Sequence, residues 1–502
     1  MRKLENIKIN KSVFFALFVA IITITLCSRS SFLVPYNNWD DANSYFSMGK
    51  GLFNGKIIYR DIFDQKGPYL YLFYGIGYLL SNQTFFGVYL VEIVAAAFFF
   101  YGAYKILRRY ADEAIAFSLL PVLGAVVYSS VSFWWGGSAE EFCLPFLVWP
   151  FYYFLFLIEK EEFEKKDDKK VLLTGICAGI VALIKFNILG FFAPWGIFLF
   201  LKLLLKKEYK GLLALCGWFF LGFLLPFLPW FIYFGLNNGL KDWYKAYIYY
   251  NVFVYADFSR EEYTLYDKTY QLAKILYWLI LENIRYFAFI ILGVICYLAD
   301  RNTKLLDKAG IVFLCSFTFL GIYIGGVELK YYSFPLTVFA VLGFCYLGKG
   351  IQKLLNKGPK RLLGKWQSAG ILLTLLLSVG IMYFGSINTE AQTVKKEEHY
   401  LYRLQQLMEI TEDTTLLNIS SFDIGLYTVT GIVPNCYWFQ TQTLPIEDVL
   451  VEQAEYMKQG KTDYVVARDY YPEVIREQYE LIGEETDPLR DCKFYLFEKK
   501  EK

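Results

Sequence analysis

Runs of about twenty apolar residues recur along this 502-residue chain, and they constrain its fold more than any other feature. A helix of that length crosses the ~30 Å hydrocarbon core of a bilayer, and in lipid only helices or closed barrels satisfy their own backbone groups. The predicted spans are 12–33, 86–107, 112–130, 142–159, 171–184, 187–205, 211–235, 275–298, 309–325, 333–348 and 368–385. A hydrophobic share of 56% supports the same class, because soluble domains rarely reach it. The first run follows "MRKLENIKINK" and has no small-residue cleavage site behind it, so it reads as an uncleaved anchor. A net charge of +2 argues against a nucleic-acid binder, which needs a basic excess to neutralise phosphates.

Basic residues gather in "MRKLENIKINK", "KILRRY", "EKEEFEKKDDKK", "KLLLKKEYK", "DRNTKLLDK" and "GKGIQKLLNKGPKRLLGK", which the positive-inside rule places on the inner side. Eleven spans starting inside put the C-terminus outside. Residues 386–502 are a different material, with 22 acidic against 12 basic residues and no membrane-length apolar run, as suits a solvated domain. Within them "TLLNIS", "DYVVA" and "KFYLFE" read as strands, and "PIEDVLVEQAEYMKQG" as an amphipathic helix. The predicted fold class is mainly α: a polytopic transmembrane helix bundle over 1–385, N-in and C-out, with a small extracytoplasmic α/β domain over 386–502.

Seven of the nine cysteines fall in apolar runs and behave as small hydrophobes; Cys436 and Cys492 fall in polar sequence, and whether they pair is left open. His399 is the single histidine, so proton transfer in the membrane part falls to carboxylates, Lys or Tyr. The charges that interrupt the apolar pattern cluster on one side of the predicted topology. The loop 34–85 carries Asp40 and Asp41 in "NNWDDANSYF", then "IIYRDIFDQKGP" with Arg60 and Lys66. "PYLYLFYGIGYLL" follows, and its short apolar length suits a helix lying at the interface. "WWGGSAEEF" adds Glu140 and Glu141, "LIKFNIL" adds Lys185, and "GGVELKYYSFP" adds Lys330 and Tyr332. Carboxylates and lysines converging on one face suggest a site that handles a phosphate and a proton.

This constellation resembles the GT-C-type glycosyltransferases, polytopic enzymes that use polyprenyl-phosphate sugars, in the branch of protein mannosyltransferases and lipid A aminoarabinose transferases. The resemblance covers Asp40 to about Pro335. Asp41 and Tyr45 match an acidic residue followed four residues later by Tyr, and "FDQKGPYLYL" matches an aromatic-acidic-Lys-Pro-Pro stretch, with Gly67 in place of the first Pro. Glu140 or Glu141 matches a second acidic position, Lys185 a lysine in the fifth-to-sixth turn, and "KYYSFP" a basic-Tyr-x-x-Pro stretch. The resemblance implies transfer of a sugar from a polyprenyl-phosphate donor to an envelope glycan, teichoic acid or lipid-linked acceptor on the outer face of the cell membrane. Asp41 is then the base, with Asp40, Glu140 and Glu141 as further catalytic candidates. Lys66, Lys185, Arg60, Tyr45, Lys330 and Tyr332 are the substrate-binding candidates. No cofactor is expected, nor is the divalent ion that some such enzymes hold between carboxylates.

Plainer roles stand beside these. Asp41 also suits a helix N-cap, Lys66 a snorkelling anchor, and Arg60, Asp61 and Asp64 suit pairing among themselves in a solvated loop. A transporter of lipid-linked sugars is the alternative function, although internal symmetry and charges near the midplane are not evident. A non-catalytic assembly protein with a polymer-binding outer domain is a third reading.

Overall fold

Helices lie in every predicted apolar span of the computed structural model, which describes residues 11–256, 263–357, 360–442, 444, 446–487 and 490–500. The basic segment before Lys11, residues 358–359 in the last basic segment, and Pro445 ahead of the C-terminal helix lie outside the described residues. Helix α1 (Lys11–Cys27) leads into a loop that itself carries two helices, α2 (Asp40–Phe53) and α3 (Pro68–Leu80). Helix α4 (Phe86–Leu107) then returns along α1, followed by α5 (Glu113–Tyr128), α6 (Ala139–Cys143), α7 (Pro145–Glu159), α8 (Asp168–Ala182) and α9 (Phe192–Leu205). Among the described residues seven helices are long and apolar enough to cross a bilayer, while α1 and α5 are apolar but shorter. Helix α3 is the apolar stretch predicted at the interface; Pro68 opens it, at the position where a missing N–H costs nothing.

Two spans depart from the predicted lines. Helix α1 ends at Cys27 instead of 33, because "SRSS" turns the chain at the bundle end: Ser31 N–H donates to Ser28 O, and Arg29 N–H donates to Trp135 O. The span read at 275–298, where Glu282 and Arg285 suggest an interfacial helix before a shorter span, is a bent pair, Leu265–Glu282 and Ile284–Ala299, meeting at 107°. Asn283 forms the corner; its side-chain oxygen accepts from the N–H and the hydroxyl of Ser132, 3.1 and 2.8 Å away. A polar side chain committed to a neighbouring loop fixes the break.

The C-terminal sheet has four strands in the order β1-β2-β4-β3: β1 Leu416–Ile419, β2 Tyr464–Arg468, β3 Tyr479–Asp487 and β4 Cys492–Lys499. Strands β1 and β2 are parallel, and the helix Glu447–Lys458 lies in the connection that a parallel pair requires. The other pairs are antiparallel. Strand β3 escapes the sequence patterns because it is a charged edge, "YELIGEETD", carrying a register shift at Gly483. Cys436 and Cys492 are both free thiols.

Helix α2 is held between this sheet region and the bundle, and ten of its residues are buried. Its Asp40, Ser44 and Ser47, at helical spacing, face the C-terminal residues. Ser44 Oγ donates to Gln440 (2.6 Å), Ser47 Oγ donates to Asp423 (2.6 Å), and Lys50 Nζ donates to the carbonyls of Tyr427 and Ile432. Asp40 accepts from Arg468 (2.5 Å) and Arg490 (3.0 Å). Asp41 and Tyr45, about 100° further round the helix, face the bundle.

Candidate active site

Lys66 is placed by a rigid turn. Tyr59, with a left-handed φ of 70°, has its ring buried against Tyr71 and Phe234, and its hydroxyl donates to the Lys66 carbonyl at 2.6 Å. Lys66 N–H donates to the Tyr71 hydroxyl (2.8 Å), which in turn donates to Asp64 (2.9 Å). With its backbone fixed on both sides, Lys66 is nine-tenths buried. Among the described residues its ammonium has no carboxylate within ion-pair distance. Burial works against its charge, but Asp41, Tyr255, Asp64 and Glu140 favour it more strongly, and its pKa is raised. Burial lifts the Asp64 carboxyl to about 6 against the pull of Lys66.

Lys185 reaches the same place from the turn after α8. Gly67 N–H donates to Ile184 O and Tyr69 N–H donates to Leu183 O, so the two lysine-bearing turns are stitched together. A Cβ on Gly67 would lie 2.1 Å from the Leu183 carbonyl oxygen. The glycine that stands in place of the expected Pro is therefore required by close backbone approach, and its N–H is in use. Gly67→Ala is expected to push the turns apart and reduce activity by more than about tenfold, since ångström-scale misplacement at a site costs that much or more. Activity assays beside a thermal midpoint on the purified variant check this.

Lys185 is ion-paired with Glu140, and its ammonium lies 3.4 Å from the centre of the Tyr332 ring. Burial lowers its pKa to about 8 despite the attraction of Glu140. Asp41 accepts a hydrogen bond from the Tyr331 hydroxyl at 2.6 Å. The N-cap of α2 is Trp39, so Asp41 sits inside the first turn and does not cap the helix. Tyr45 is buried one turn on, within electrostatic reach of Asp41, Tyr331, Asp64 and Glu140.

Lys66, Lys185 and Tyr332 line one cavity of about 260 Å³, with Gln65, Asn251 and Tyr255 among its other walls. The side-chain oxygens of Tyr45, Gln65 (Oε1) and Glu140 (Oε2) are buried there or beside it without a hydrogen-bond partner among the described residues. These oxygens and the two ammonium groups give the cavity polar walls that suit a polar ligand.

Asp41, Tyr45, Lys66, Glu140, Lys185 and Tyr332 are thus brought together. Four other candidates are not. Asp40 is held by the two arginines described above. Glu141 turns away: its Oε2 accepts from Gly137 N–H at 2.7 Å, and it lies against Glu92. Arg60 is exposed, paired with Asp61 at 2.8 Å and donating to the Asn237 carbonyl. Lys330 is exposed near the Trp134 ring, 5.7 Å from its centre. Sequence reasoning does not choose Tyr331, although it is the neighbour of the chosen Tyr332, and it assigns Asp64 to pairing with Arg60 and Asp61 in a solvated loop, whereas Asp64 is buried and bonded to Tyr71. Among the described residues no three His, Cys, Asp or Glu side chains gather as metal ligands.

Residues 65–233, which include Lys66, Glu140 and Lys185, match the dolichyl-phosphate-mannose-protein mannosyltransferase family. A search of curated proteins finds no match. Among solved structures, apo ArnT from Cupriavidus metallidurans is similar with a TM-score of 0.63 at 12% identity, covering 96% of this chain and 97% of that one. The same protein bound to undecaprenyl phosphate gives 0.64 at 11% identity, covering 97% of each. At such identities the shared property is the fold. The chain has the fold of a GT-C-type polytopic membrane glycosyltransferase, as its motifs lead one to expect, and is a multi-pass membrane protein.

Proposed function

We propose that this protein transfers a sugar from a polyprenyl-phosphate donor to an envelope glycan, teichoic acid or lipid-linked acceptor on the outer face of the membrane. The observation that carries the reading is the convergence of Lys66 and Lys185 on one cavity with Asp41 beside it. The undecaprenyl phosphate in the similar ArnT structure supports a lipid phosphate as the donor's leaving group. The orientation N-in and C-out, with 386–502 outside, belongs to this proposal.

The donor's C1–O bond breaks, and the departing phosphate carries the electron pair. Lys66 and Lys185, both largely buried, stabilise that charge as fixed cations. The acceptor hydroxyl attacks C1 from the opposite side, and Asp41 takes its proton. One displacement with one base inverts the anomeric configuration. Tyr331 fixes the Asp41 carboxylate, while Glu140 holds Lys185 and keeps one oxygen for a hydroxyl of the sugar. Asp40 serves to dock the C-terminal domain.

The Lys185 value gives the pH dependence its sign. This ammonium is charged below about 8 and discharges above it. Donor kcat/KM should therefore fall as pH rises past about 8, toward about tenfold per pH unit if Lys185 charge is essential. Lys185→Arg, which stays charged, should flatten that limb.

The reading is tested in cells of the source organism carrying the wild type, Asp41→Asn or a deletion. Polyprenyl-phosphate sugars and glycan composition are followed by mass spectrometry. One lipid-linked sugar accumulating in both mutants, with loss of one glycan substituent, is the expected result. A deletion phenotype that Asp41→Asn does not share would remove the catalytic assignment.

A further inference from the structure

A second cavity, of about 400 Å³, opens between the turn after α1, the start of α4 and the residues leading into the C-terminal domain. Its walls include Arg29, Ser31 and Lys396, and its apolar side includes Phe32 and Phe86, 64% and 44% exposed where the helices end. Arg29 is 7% exposed, stacked on Trp135 at 3.7 Å. Its Nε donates to Asn388 (2.9 Å) and Nη1 to Asn38 (2.6 Å), both neutral amide oxygens. Among the described residues no carboxylate is ion-paired with this guanidinium. Asp487 and Glu390 attract it from farther away, Asp487 being engaged by Asn38 and Arg490, while Arg490 repels it.

A buried cation is costly unless an anion neutralises it, and here the space beside it opens toward exposed aromatics. We propose that this cavity binds a lipid-borne or free phosphate, with Arg29 and Lys396 as its cations and Phe32 and Phe86 against the acyl chain when a lipid carries it. This site is separate from the Lys66 pocket and does not depend on the reading of that pocket as catalytic. The contacts Arg29–Asn38 and Asn38–Asp487–Arg490–Asp40 link it to the first turn of α2.

Native mass spectrometry of the full-length purified protein tests the site with phosphatidylglycerol, phosphatidylcholine and inorganic phosphate as probes. Tight retention of phosphatidylglycerol but not phosphatidylcholine is expected. Binding should weaken about fivefold on removing either charge by Arg29→Gln or Lys396→Gln, and persist in Lys66→Met. Competition by millimolar inorganic phosphate would assign the site to a small phosphate, and its absence to a lipid headgroup; both support an anion site. Lys396→Gln, at an exposed position, keeps the test valid if Arg29→Gln fails to fold. Equal retention of both lipids, or wild-type binding in the folded charge variants, overturns the proposal.

Discussion

Asp41→Asn should lower kcat by about 10²–10⁴-fold while the protein remains folded, the range expected when a general base is lost. Asn has the same shape, and its oxygen still accepts the Tyr331 hydroxyl, but it cannot take a proton from the acceptor. The adjacent substitution gives a different result. Asp40→Asn removes the carboxylate shared by Arg468 and Arg490, both only partly exposed, and leaves Arg490 paired with Asp487. Its expected cost is stability, about 2 kcal/mol for a pair that keeps some solvent, with easier proteolysis of the C-terminal domain. Assaying turnover and thermal midpoint for both variants separates the roles. A kcat loss in Asp40→Asn equal to that in Asp41→Asn, at wild-type stability, would contradict the assignment.

Lys66→Met carries the second large effect. The methionine preserves the apolar stem and removes the charge, so the surrounding turn, held by Tyr59 and Tyr71 through backbone atoms, should stay in place. Donor kcat/KM should fall by about 10²–10³-fold, as on deletion of one group that stabilises a developing anion. Lys66→Arg should recover only part of this, because a planar fork does not fit where a compact ammonium sits. If Lys66→Met instead raises KM for the acceptor and leaves the donor unaffected, the cavity belongs to the other substrate.

The bundle was legible because lipid imposes a length and a composition on each span, and these can be read one residue run at a time. Glu282 and Arg285 mark the interruption of the eighth span, but the corner at Asn283 depends on Ser132, far away in the chain. At the site, Asp41 and Tyr45 announce themselves by helical spacing, and Lys66 by its place before Gly67-Pro68. Physical chemistry does not separate Asp40 from Asp41 in the sequence; only the spacing to Tyr45 favours Asp41. The helix puts the two on different faces, but only the fold brings Arg468 and Arg490 to one of them. Glu140 and Glu141 are divided in the same way, one toward Lys185 and the other toward Gly137. Arg60 lies in the charged loop yet points to Asn237, so a shared loop is weaker grounds than a shared cavity.

The central claim is that the Lys66–Lys185 cavity holds the phosphate of a polyprenyl donor. Its most direct test is equilibrium binding of polyprenyl phosphate to the purified protein in nanodiscs, comparing the wild type with Lys66→Met and Lys185→Met. Weakened binding in the two lysine variants is the predicted result. Undiminished binding in folded Lys66→Met and Lys185→Met proteins would contradict it.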